Sequence, residues 1–279
     1  MQLYTINTGY FKLDGGAMFG LVPKVIWHKL NPADDKNLCT WAMRCLLIEK
    51  ENRLILIDTG LGNKQSEKFF SYFEPHGNAT LQGSLKSKGF SVGDITDVIL
   101  THLHFDHAGG AVSKNTDNFY YPTFPNAVYW SHSLHWAWAS HPNAREKASY
   151  LKENFEPLTE NCQVKFIDEE VFDIPEINFL VVNGHTEAQI IPKIKYRDKT
   201  VVFCADLLPS PHHIPLPYIM SYDIRPLVTL DEKTAFLQEA HQSNYILFYE
   251  HDPHIECSTL QLTEKGVRPG EFFNLSELK

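Results

Sequence analysis

The sequence has no excess of basic residues, and this absence limits what the protein can bind. Lys and Arg total 25 against 34 Asp and Glu, which gives a formal charge of −9 at pH 7, and the acidic residues are spread along the chain. A general nucleic-acid binder needs a basic surface to meet phosphates. The composition therefore argues against nucleic acid as a partner.

Paired cysteines and long apolar runs are also missing. No segment approaches the roughly 20 apolar residues of a membrane span, and the amino terminus has neither the basic nor the apolar region of a secretion signal. The five cysteines include no Cys-x-x-Cys pair. We therefore expect a cytoplasmic protein without membrane contact, in which all cysteines are reduced and buried: Cys39, Cys45, Cys162, Cys204 and Cys257.

The chain has 279 residues, of which 43% are hydrophobic and 13% aromatic, so it can bury a substantial core. It contains no fixed-period repeat and no low-complexity linker, and we predict one domain over residues 1–279. Strand-like and helix-like segments alternate along it. Their order predicts an α/β fold with two sheets facing each other, helices outside and a site along one edge.

Apolar patterning and turn residues place the individual elements. Strands are expected at 3–10, 41–49, 53–58, 98–100, 127–130, 163–167, 177–182, 190–196, 200–205 and 245–249. Helices are expected at 66–73, 78–88, 143–155 and 230–242, and Gly89 suits the end of the second. Ser131 is the expected cap of one more helix, whose His132 and His135 we interpret as packing or surface residues. The C-terminal tail carries no clear signal.

Two loops are candidates to border a site. Residues 11–20 are rich in glycine and form either an ordinary connection or a pocket wall that uses Met18 and Phe19. Residues 112–126 carry too much proline, asparagine and aromatic character for a regular element, and they are either a lid or a loop held by buried aromatic rings. The second interpretation is favoured, with three rings buried: Phe119, Tyr120 and Phe124.

One segment concentrates metal-binding side chains. Residues 101–110 hold three histidines and an aspartate within six positions, directly after the apolar run at 97–100. A strand that ends in such residues presents them at the carboxyl edge of a sheet, where open α/β folds place their sites. Imidazole and carboxylate groups are ligands of zinc, iron and manganese, and two glycines that follow suit a tight backbone turn. The candidate ligands are His102, His104, Asp106 and His107.

Three more candidate ligands follow apolar runs in the same way: His185, Asp206 and His251. Each one alone is more often a cap or turn residue, but three of them after strongly apolar runs indicate a shared site. Asp58 ends another strand-like run. It either orients a metal-ligating histidine or caps the following turn.

These residues resemble the ligand set of the metallo-β-lactamase superfamily, in its dinuclear hydrolase branch. The resemblance rests on His102-x-His104-x-Asp106-His107, Gly184-His185-Thr186, Asp206 and His251, and it spans about residues 40–252. It implies a four-layer αββα sandwich. It also implies that His102, His104 and His185 hold one metal, that Asp106, His107 and His251 hold a second, and that Asp206 bridges both.

Departures from the family pattern narrow the subfamily. Acyl-homoserine lactonases have a tyrosine three residues after the bridging aspartate, where this chain has Pro209. Tyr218 or Tyr222 could supply a phenol from elsewhere. The surroundings of Gly184-His185-Thr186 differ from those of glyoxalase II, and residues 206–217 look more like the lactonase-like and methyl parathion hydrolase-like group.

The resemblance implies two divalent ions, zinc first, with iron or manganese as alternatives. Two ions about 3.5–4 Å apart clamp the attacking and leaving oxygens and bring the pKa of a shared water to near 7. We expect cleavage of a small ester, lactone or thioester, or of a phosphotriester, with Asp106 and Asp206 as the catalytic carboxylates. Asp106 can pass a proton to the leaving group. His213 is either a donor behind the ligands, a substrate contact or a solvated loop histidine.

Two other functions stay open. One is an iron-dependent oxidoreductase on the same scaffold, and the other is a metal-binding protein without catalysis. The expected partner is a small-molecule substrate, held in an apolar pocket that includes Met18, Phe19, Phe105 and Ile214. The sequence leaves the oligomeric state undetermined, with a homodimer among the options.

Overall fold

A computed structural model describes residues 1–160 and 164–278 of the chain. Its strands are, in chain order, β1 (Gln2–Asp14), β2 (Leu38–Lys50), β3 (Arg53–Ile57), β4 (Asp97–Ile99), β5 (Val112–Lys114), β6 (Tyr120–Pro122), β7 (Val128–Ser131), β8 (Val164–Phe166), β9 (Ile177–Val182), β10 (Gln189–Tyr196), β11 (Lys199–Phe203), β12 (Ile246–Phe248), β13 (Cys257–Thr263) and β14 (Gly266–Phe273). The α-helices are α1 (Gly15–Phe19), α2 (Lys24–Trp27), α3 (Glu67–Phe73), α4 (Leu81–Ser87), α5 (Phe105–Ala108), α6 (Ser133–Ser140), α7 (Glu156–Glu160) and α8 (Pro226–Gln242).

The chain forms two compact units. Unit 1 comprises Met1–Gly9, Met43–Ser71 and His76–Asp173, and unit 2 comprises Tyr10–Ala42, Tyr72–Pro75 and Ile174–Lys279. Two of the boundaries fall inside β1 and β2, so the chain enters each unit more than once. The single domain expected over residues 1–279 stays a prediction.

Unit 1 is built on a six-stranded sheet in the order β1-β2-β3-β4-β7-β8. Strands β3, β4, β7 and β8 run parallel, and β4 lies in the middle with all three residues buried. Parallel strands are covered on both faces and are therefore mostly apolar. The charged residue of β4, Asp97, is paired with Arg53. The core of this unit includes Leu47, Leu56, Val98, Tyr129 and Phe155, each fully buried.

Unit 2 is built on a second six-stranded sheet in the order β14-β13-β12-β11-β10-β9. Strand β11 is parallel to β12, while β10 pairs antiparallel with both β11 and β9. Strands β9, β11 and β12 therefore point the same way, and their carboxyl ends lie at one edge of the sheet. His185, Asp206 and His251 each follow one of these three ends.

Most predicted strands and helices are present. The hairpin of β2 and β3, the strand Ile177–Val182 and the helix that ends at Gln242 occur as expected. Gly89 has a φ of +89° directly after the last residues of α4, as a helix-ending glycine does. Four cysteines are buried and free, as predicted: Cys39, Cys45, Cys204 and Cys257. Cys162 and the first residue of the strand predicted at 163–167 lie outside the described residues.

The prediction of a loop at residues 11–20 is wrong, because this segment holds the end of a strand and a short helix. Strand β1 continues to Asp14, whose Oδ1 accepts the N–H of Ala17 at 2.8 Å and caps α1. Gly15 is not a loop residue. A Cβ there would lie 2.4 Å from the Trp27 ring, so this glycine permits close packing.

The prediction that residues 112–126 lack regular structure is also wrong, because β5 and β6 pair within this segment as a small antiparallel sheet. Phe124 is fully buried as expected, Tyr120 is half-buried, and Phe119 is 67% exposed, so the burial predicted for Phe119 is wrong. The alternative that this segment is a lid stays a prediction.

The helix predicted at 143–155 does not form. Glu146 is buried in this segment, where its carboxylate accepts hydrogen bonds from Trp138 Nε1 at 2.8 Å and Asn143 Nδ2 at 2.5 Å. Asn143 Oδ1 in turn accepts the N–H of Glu146 at 3.1 Å. These side-chain bonds satisfy the backbone locally in a turn, which competes with a helix.

The start of helix α6 and the C-terminal tail also differ from the prediction. The cap of α6 is His132, whose side chain accepts the N–H of Leu134, and not Ser131, which ends β7. The tail without a clear signal forms the hairpin of β13 and β14, in which Leu262 pairs with Val267. The register of this hairpin is irregular between Ser258 and Leu260. Such an irregularity breaks the alternation of side chains between the two faces, which hides the strand pattern in the sequence.

Candidate metal centre

The histidine-rich segment of unit 1 follows the carboxyl end of β4, and all ten residues from Thr101 to Gly110 are buried. His102 Nε2 lies 3.0 Å from His104 Nδ1. The short helix α5 carries the other two candidates, with His107 Nε2 at 3.8 Å from Asp106 Oδ2. The segment thus presents four ligand-type side chains in two close pairs.

The two glycines after these residues permit close packing rather than a left-handed turn. Gly109 has a φ of −59°, an ordinary helical value. A Cβ on Gly109 would lie 2.1 Å from the Leu61 carbonyl oxygen, and one on Gly110 would lie 2.2 Å from that of Thr59. The tight turn predicted here is therefore replaced by close approach of two backbone segments.

Asp58 lies directly behind His107. Its Oδ2 is 3.0 Å from His107 Nδ1 and accepts the Thr101 hydroxyl at 2.6 Å, while Oδ1 accepts the Thr101 N–H at 2.8 Å. Asp58 is fully buried and has a φ of +57°. Of the two roles considered for Asp58, these contacts fit the orientation of His107.

His135 and Tyr150 surround the ligand segment, and sequence reasoning did not assign them this position. His135 is fully buried, and its Nε2 accepts the N–H of Leu103 at 2.8 Å. The Tyr150 ring lies 4.8 Å from the His104 ring, and its hydroxyl donates to Glu146 at 3.2 Å. His135 follows β7 in helix α6, and its spacing from His132 was the available signal.

The three candidates of unit 2 meet at Asp206. Its Oδ2 lies 3.0 Å from His185 Nε2, and its Oδ1 lies 3.0 Å from His251 Nε2. The side chains of all three are nearly buried, at 2%, 9% and 2% exposure for His185, Asp206 and His251. Each oxygen of one carboxylate therefore faces a different imidazole.

The far nitrogens of these imidazoles are also engaged. His185 Nδ1 lies 2.8 Å from Asp223 Oδ1, and His251 Nδ1 lies 2.8 Å from the Ala42 carbonyl oxygen. Burial lowers the pKa of His185, but the carboxylates of Asp206 and Asp223 outweigh burial and raise the pKa to about 10. Asp223 was not a candidate in the sequence, because it follows no strand.

His213 is a buried residue and not a solvated loop histidine. It is 1% exposed, its Nδ1 lies 2.8 Å from the Ser210 hydroxyl, and its Nε2 lies 3.0 Å from the Met18 carbonyl oxygen. Burial lowers the pKa of His213 to about 3, so its ring is neutral. The ring stacks on Phe19 at a centroid distance of 4.9 Å and an angle of 7°.

Met18 and Phe19 are buried at 2% and 0% exposure, and Phe19 also stacks on Trp27 at 5.5 Å. These contacts give Phe19 a packing role in unit 2. Tyr218 meets the Phe19 ring edge-on at 6.5 Å, whereas Tyr222 is 39% exposed and directly precedes Asp223. Substrate contacts of these side chains stay predictions.

The donor set fits metal ions. His107, His185 and His251 each direct Nδ1 at an oxygen atom of the protein, which leaves Nε2 as the nitrogen available to a metal. Asp206 presents one oxygen to each of two imidazoles, as a carboxylate shared by two ions would. Close histidine and carboxylate clusters of this kind follow strand ends in each unit, around residues 102–107 in unit 1 and around Asp206 in unit 2. The fold and these clusters define a metal-binding α/β protein.

The chain belongs to the metallo-beta-lactamase superfamily, whose family model matches residues 44–251. It is similar to an N-acyl homoserine lactonase of Bacillus cereus, with 28% identity over 195 residues. That match covers 66% of this chain and 66% of the relative, so the chain spans just under two thirds of the relative's length. A lactonase of Bacillus thuringiensis is 27% identical over 196 residues, with the same shares covered.

Solved structures resemble the fold over nearly the whole chain. A probable metal-dependent hydrolase from Staphylococcus aureus is 26% identical, with a TM-score of 0.88 over 98% of this chain and 96% of that chain. AidC, described as a dizinc quorum-quenching lactonase, is 22% identical, with a TM-score of 0.79 over 98% of this chain and 95% of its own. The predicted metallo-β-lactamase fold is thereby confirmed, and the relatives support the prediction of a hydrolase.

One further expectation concerns membranes. Within residues 1–160 and 164–278, no helix combines the length and apolar character needed to cross a bilayer. The cytoplasmic location, the absence of nucleic-acid partners and the oligomeric state stay predictions.

Proposed function

We propose that this protein is a dinuclear zinc hydrolase that opens small lactones, with N-acyl homoserine lactones as the first class to test. The observation that carries the proposal is the Asp206 carboxylate, whose two oxygens each lie 3.0 Å from a different imidazole. The named lactonase relatives support the choice of lactones. Zinc is supported by the nitrogen-rich ligand set and by the dizinc description of AidC.

In this proposal seven side chains hold two ions. Asp206 would be the shared ligand. His102, His104 and His185 would hold the first ion, and Asp106, His107 and His251 would hold the second. When bound, the two ions supply Lewis acidity and lower the pKa of water to near 7, so that hydroxide is available at neutral pH.

The residues of the chain then have separate tasks in ring opening. Hydroxide adds to the lactone carbonyl carbon, the ring C–O bond breaks, and the leaving alkoxide takes a proton to give the hydroxy acid. In this proposal Asp106 takes up the proton that water loses on becoming hydroxide and passes it to the alkoxide. Asp58 and Asp223 hold the rings of His107 and His185 at their Nδ1 atoms, which orients Nε2.

The test combines metal analysis with a substrate panel on the full chain. We expect about two equivalents of zinc per chain and hydrolysis of N-hexanoyl homoserine lactone in preference to an aryl ester, a thioester and a phosphotriester. Asp206→Asn should lose zinc and reduce kcat/KM more than about 100-fold, since replacing even a residue behind the ligands costs about 10–100-fold. Asp231→Asn, at an exposed position of α8, is the matched control and should behave as wild type.

Three results would overturn the proposal, the third in its substrate alone. About one equivalent of iron with oxygen-dependent turnover would indicate the oxidoreductase alternative. Full zinc loading without turnover of any substrate in the panel would indicate a metal-binding protein without catalysis. Preference for the phosphotriester would keep the hydrolase and reject the lactone.

A further inference from the structure

A cavity of about 680 Å³ lies in unit 2, away from the candidate ligands, between helix α8 and the hairpin of β13 and β14. One wall is a single face of α8, because Thr234, Leu237, Gln238 and His241 are spaced by three or four residues. The opposite wall is the cross-strand pair Leu262 and Val267. Its volume is in the range of about 300–1,000 Å³ typical of small-molecule sites.

The third wall is Leu216 and Pro217, and it is fixed by the buried amino group of Lys233. Lys233 is 1% exposed, and its Nζ donates to the carbonyl oxygens of Pro215 and Tyr218, each at 2.8 Å. The wall therefore has defined backbone contacts on both sides of Leu216. Leu237 forms a buried floor at 2% exposure, while Leu262 is 66% exposed at the mouth.

The charge of the cavity is opposite to that of the protein as a whole. Lys265 and Arg268 both line it, and none of the described lining residues is acidic, although the chain carries a formal charge of −9. Neither cation forms an ion pair with a described residue, and Arg268 Nη1 donates only to the carbonyl oxygen of Val267 at 2.6 Å. An apolar cavity with an unpaired positive edge is complementary to an amphipathic anion.

His241 adds a polar group to the apolar wall. Its Nδ1 is buried and makes no hydrogen bond with any of the described residues. That nitrogen has almost no accessible surface, so the imidazole contributes to the wall and not a free hydrogen-bonding group. The cavity thus combines an apolar body with a cationic edge.

We propose that this cavity binds a free aliphatic carboxylate, with its chain on Leu216, Leu237 and Leu262 and its carboxylate at Arg268 and Lys265. The site is separate from the metal centre and does not depend on the hydrolase function. It binds an uncharged alcohol of the same length more weakly, because the alcohol cannot pair with the two cations.

The test is calorimetric titration of the full-length, metal-loaded protein with octanoate and, in parallel, with 1-octanol. We expect saturable binding of one octanoate and weaker binding of octanol. The double variant Arg268→Gln/Lys265→Gln should weaken octanoate binding about tenfold and leave octanol binding unchanged. Leu262→Asp, at an exposed position, should weaken the binding of both probes.

Two matched variants control for charge and apolar surface elsewhere in unit 2. Lys195→Gln removes an exposed cation outside the cavity, and Leu227→Asp changes a leucine of α8 that is 75% exposed. Both should bind octanoate as wild type does. Circular dichroism and sedimentation of every variant show whether fold and assembly are unchanged.

Four outcomes would overturn the proposal. They are the absence of saturable octanoate binding, equal affinity for octanoate and octanol, octanoate binding that is lost in Asp206→Asn but kept in the cavity variants, and a change of oligomeric state in Leu262→Asp. The third would place the carboxylate at the metal centre, and the fourth would make this face an interface between copies.

Discussion

His135 Nε2 accepts a hydrogen bond from the backbone N–H of Leu103 at 2.8 Å, and both residues are fully buried. Leu103 lies between His102 and His104, so this bond holds the backbone that carries two candidate ligands. A histidine outside the ligand set is thereby tied to the geometry of the set. His135 therefore positions the ligand segment, because its hydrogen bond is made to the main chain of that segment.

Replacing His135 by Ala should weaken zinc binding. The Leu103 N–H would be buried without its acceptor, at a cost of about 1–3 kcal/mol, and we expect zinc affinity to fall about tenfold. His135→Gln keeps an acceptor and should restore much of the affinity. Competition with a chromophoric chelator measures the effect, and exposed His141→Gln is the control. Wild-type zinc affinity in His135→Ala would contradict the assigned role.

Replacing Asp223 by Asn should act through His185. The substitution keeps the size of the side chain but removes the charge that lies 2.8 Å from His185 Nδ1. We expect zinc affinity to fall about 10–100-fold, with a smaller change in the free energy of unfolding. The chelator competition reports affinity, and Asp198→Asn, at a side chain 77% exposed, is the control. Equal zinc affinity in both variants would reject Asp223 as an orienting residue.

Substituting Gly110 by Ala should destabilise unit 1. The new Cβ would lie 2.2 Å from the Thr59 carbonyl oxygen, and backbone atoms cannot relieve this contact cheaply. We expect a loss of about 1–3 kcal/mol in the free energy of unfolding, measured with urea. Gly93→Ala meets no atom closer than 3.7 Å and should stay within about 0.5 kcal/mol of wild type. Equal stability of the two variants would show that the close approach at Gly110 is not needed.

Lys233 should make stability depend on pH. Burial lowers the pKa of Lys233 from 10.5 to about 7 in the folded protein, with smaller influences from Asp223 and Arg268. Between pH 7 and 10.5 the unfolded chain binds a proton at this residue that the folded chain does not, so this group favours folding increasingly as pH rises.

The variant Lys233→Met removes this dependence, and its stability deficit relative to wild type should grow from pH 6.5 to pH 8.5. Urea unfolding at both pH values measures the difference. Burial also lowers the pKa of Lys64 to about 7. Because Lys64 is present in both proteins, its contribution cancels in the stability difference between them. Exposed Lys195→Met should follow wild type at both pH values. A constant difference between wild type and Lys233→Met would mean that Lys233 keeps its ordinary pKa.

Local chemistry in the sequence was enough for the strands that precede the candidate ligands and for the ligand types. Apolar runs of three to six residues mark β4, β9 and β11, and each precedes a candidate ligand. A strand covered on both faces is nearly all apolar, so polar ligands are placed mainly after the strand ends. The same logic placed Asp58 correctly, at the end of β3.

Only the tertiary structure decided which polar groups support these ligands. Asp223 and Glu146 carry no local signal, and the spacing of His135 from His132 does not show that His135 binds the backbone of Leu103, because each of the three is recognisable only by a partner far along the chain or across a turn. A turn forms at Glu146 instead of the predicted helix because the buried carboxylate accepts hydrogen bonds from three side chains there. Positions 109 and 110 require glycine because carbonyl oxygens about fifty residues earlier in the sequence lie against them. Propensity and periodicity describe neighbours in sequence, whereas burial makes unpaired polar atoms costly and lets distant residues determine local structure.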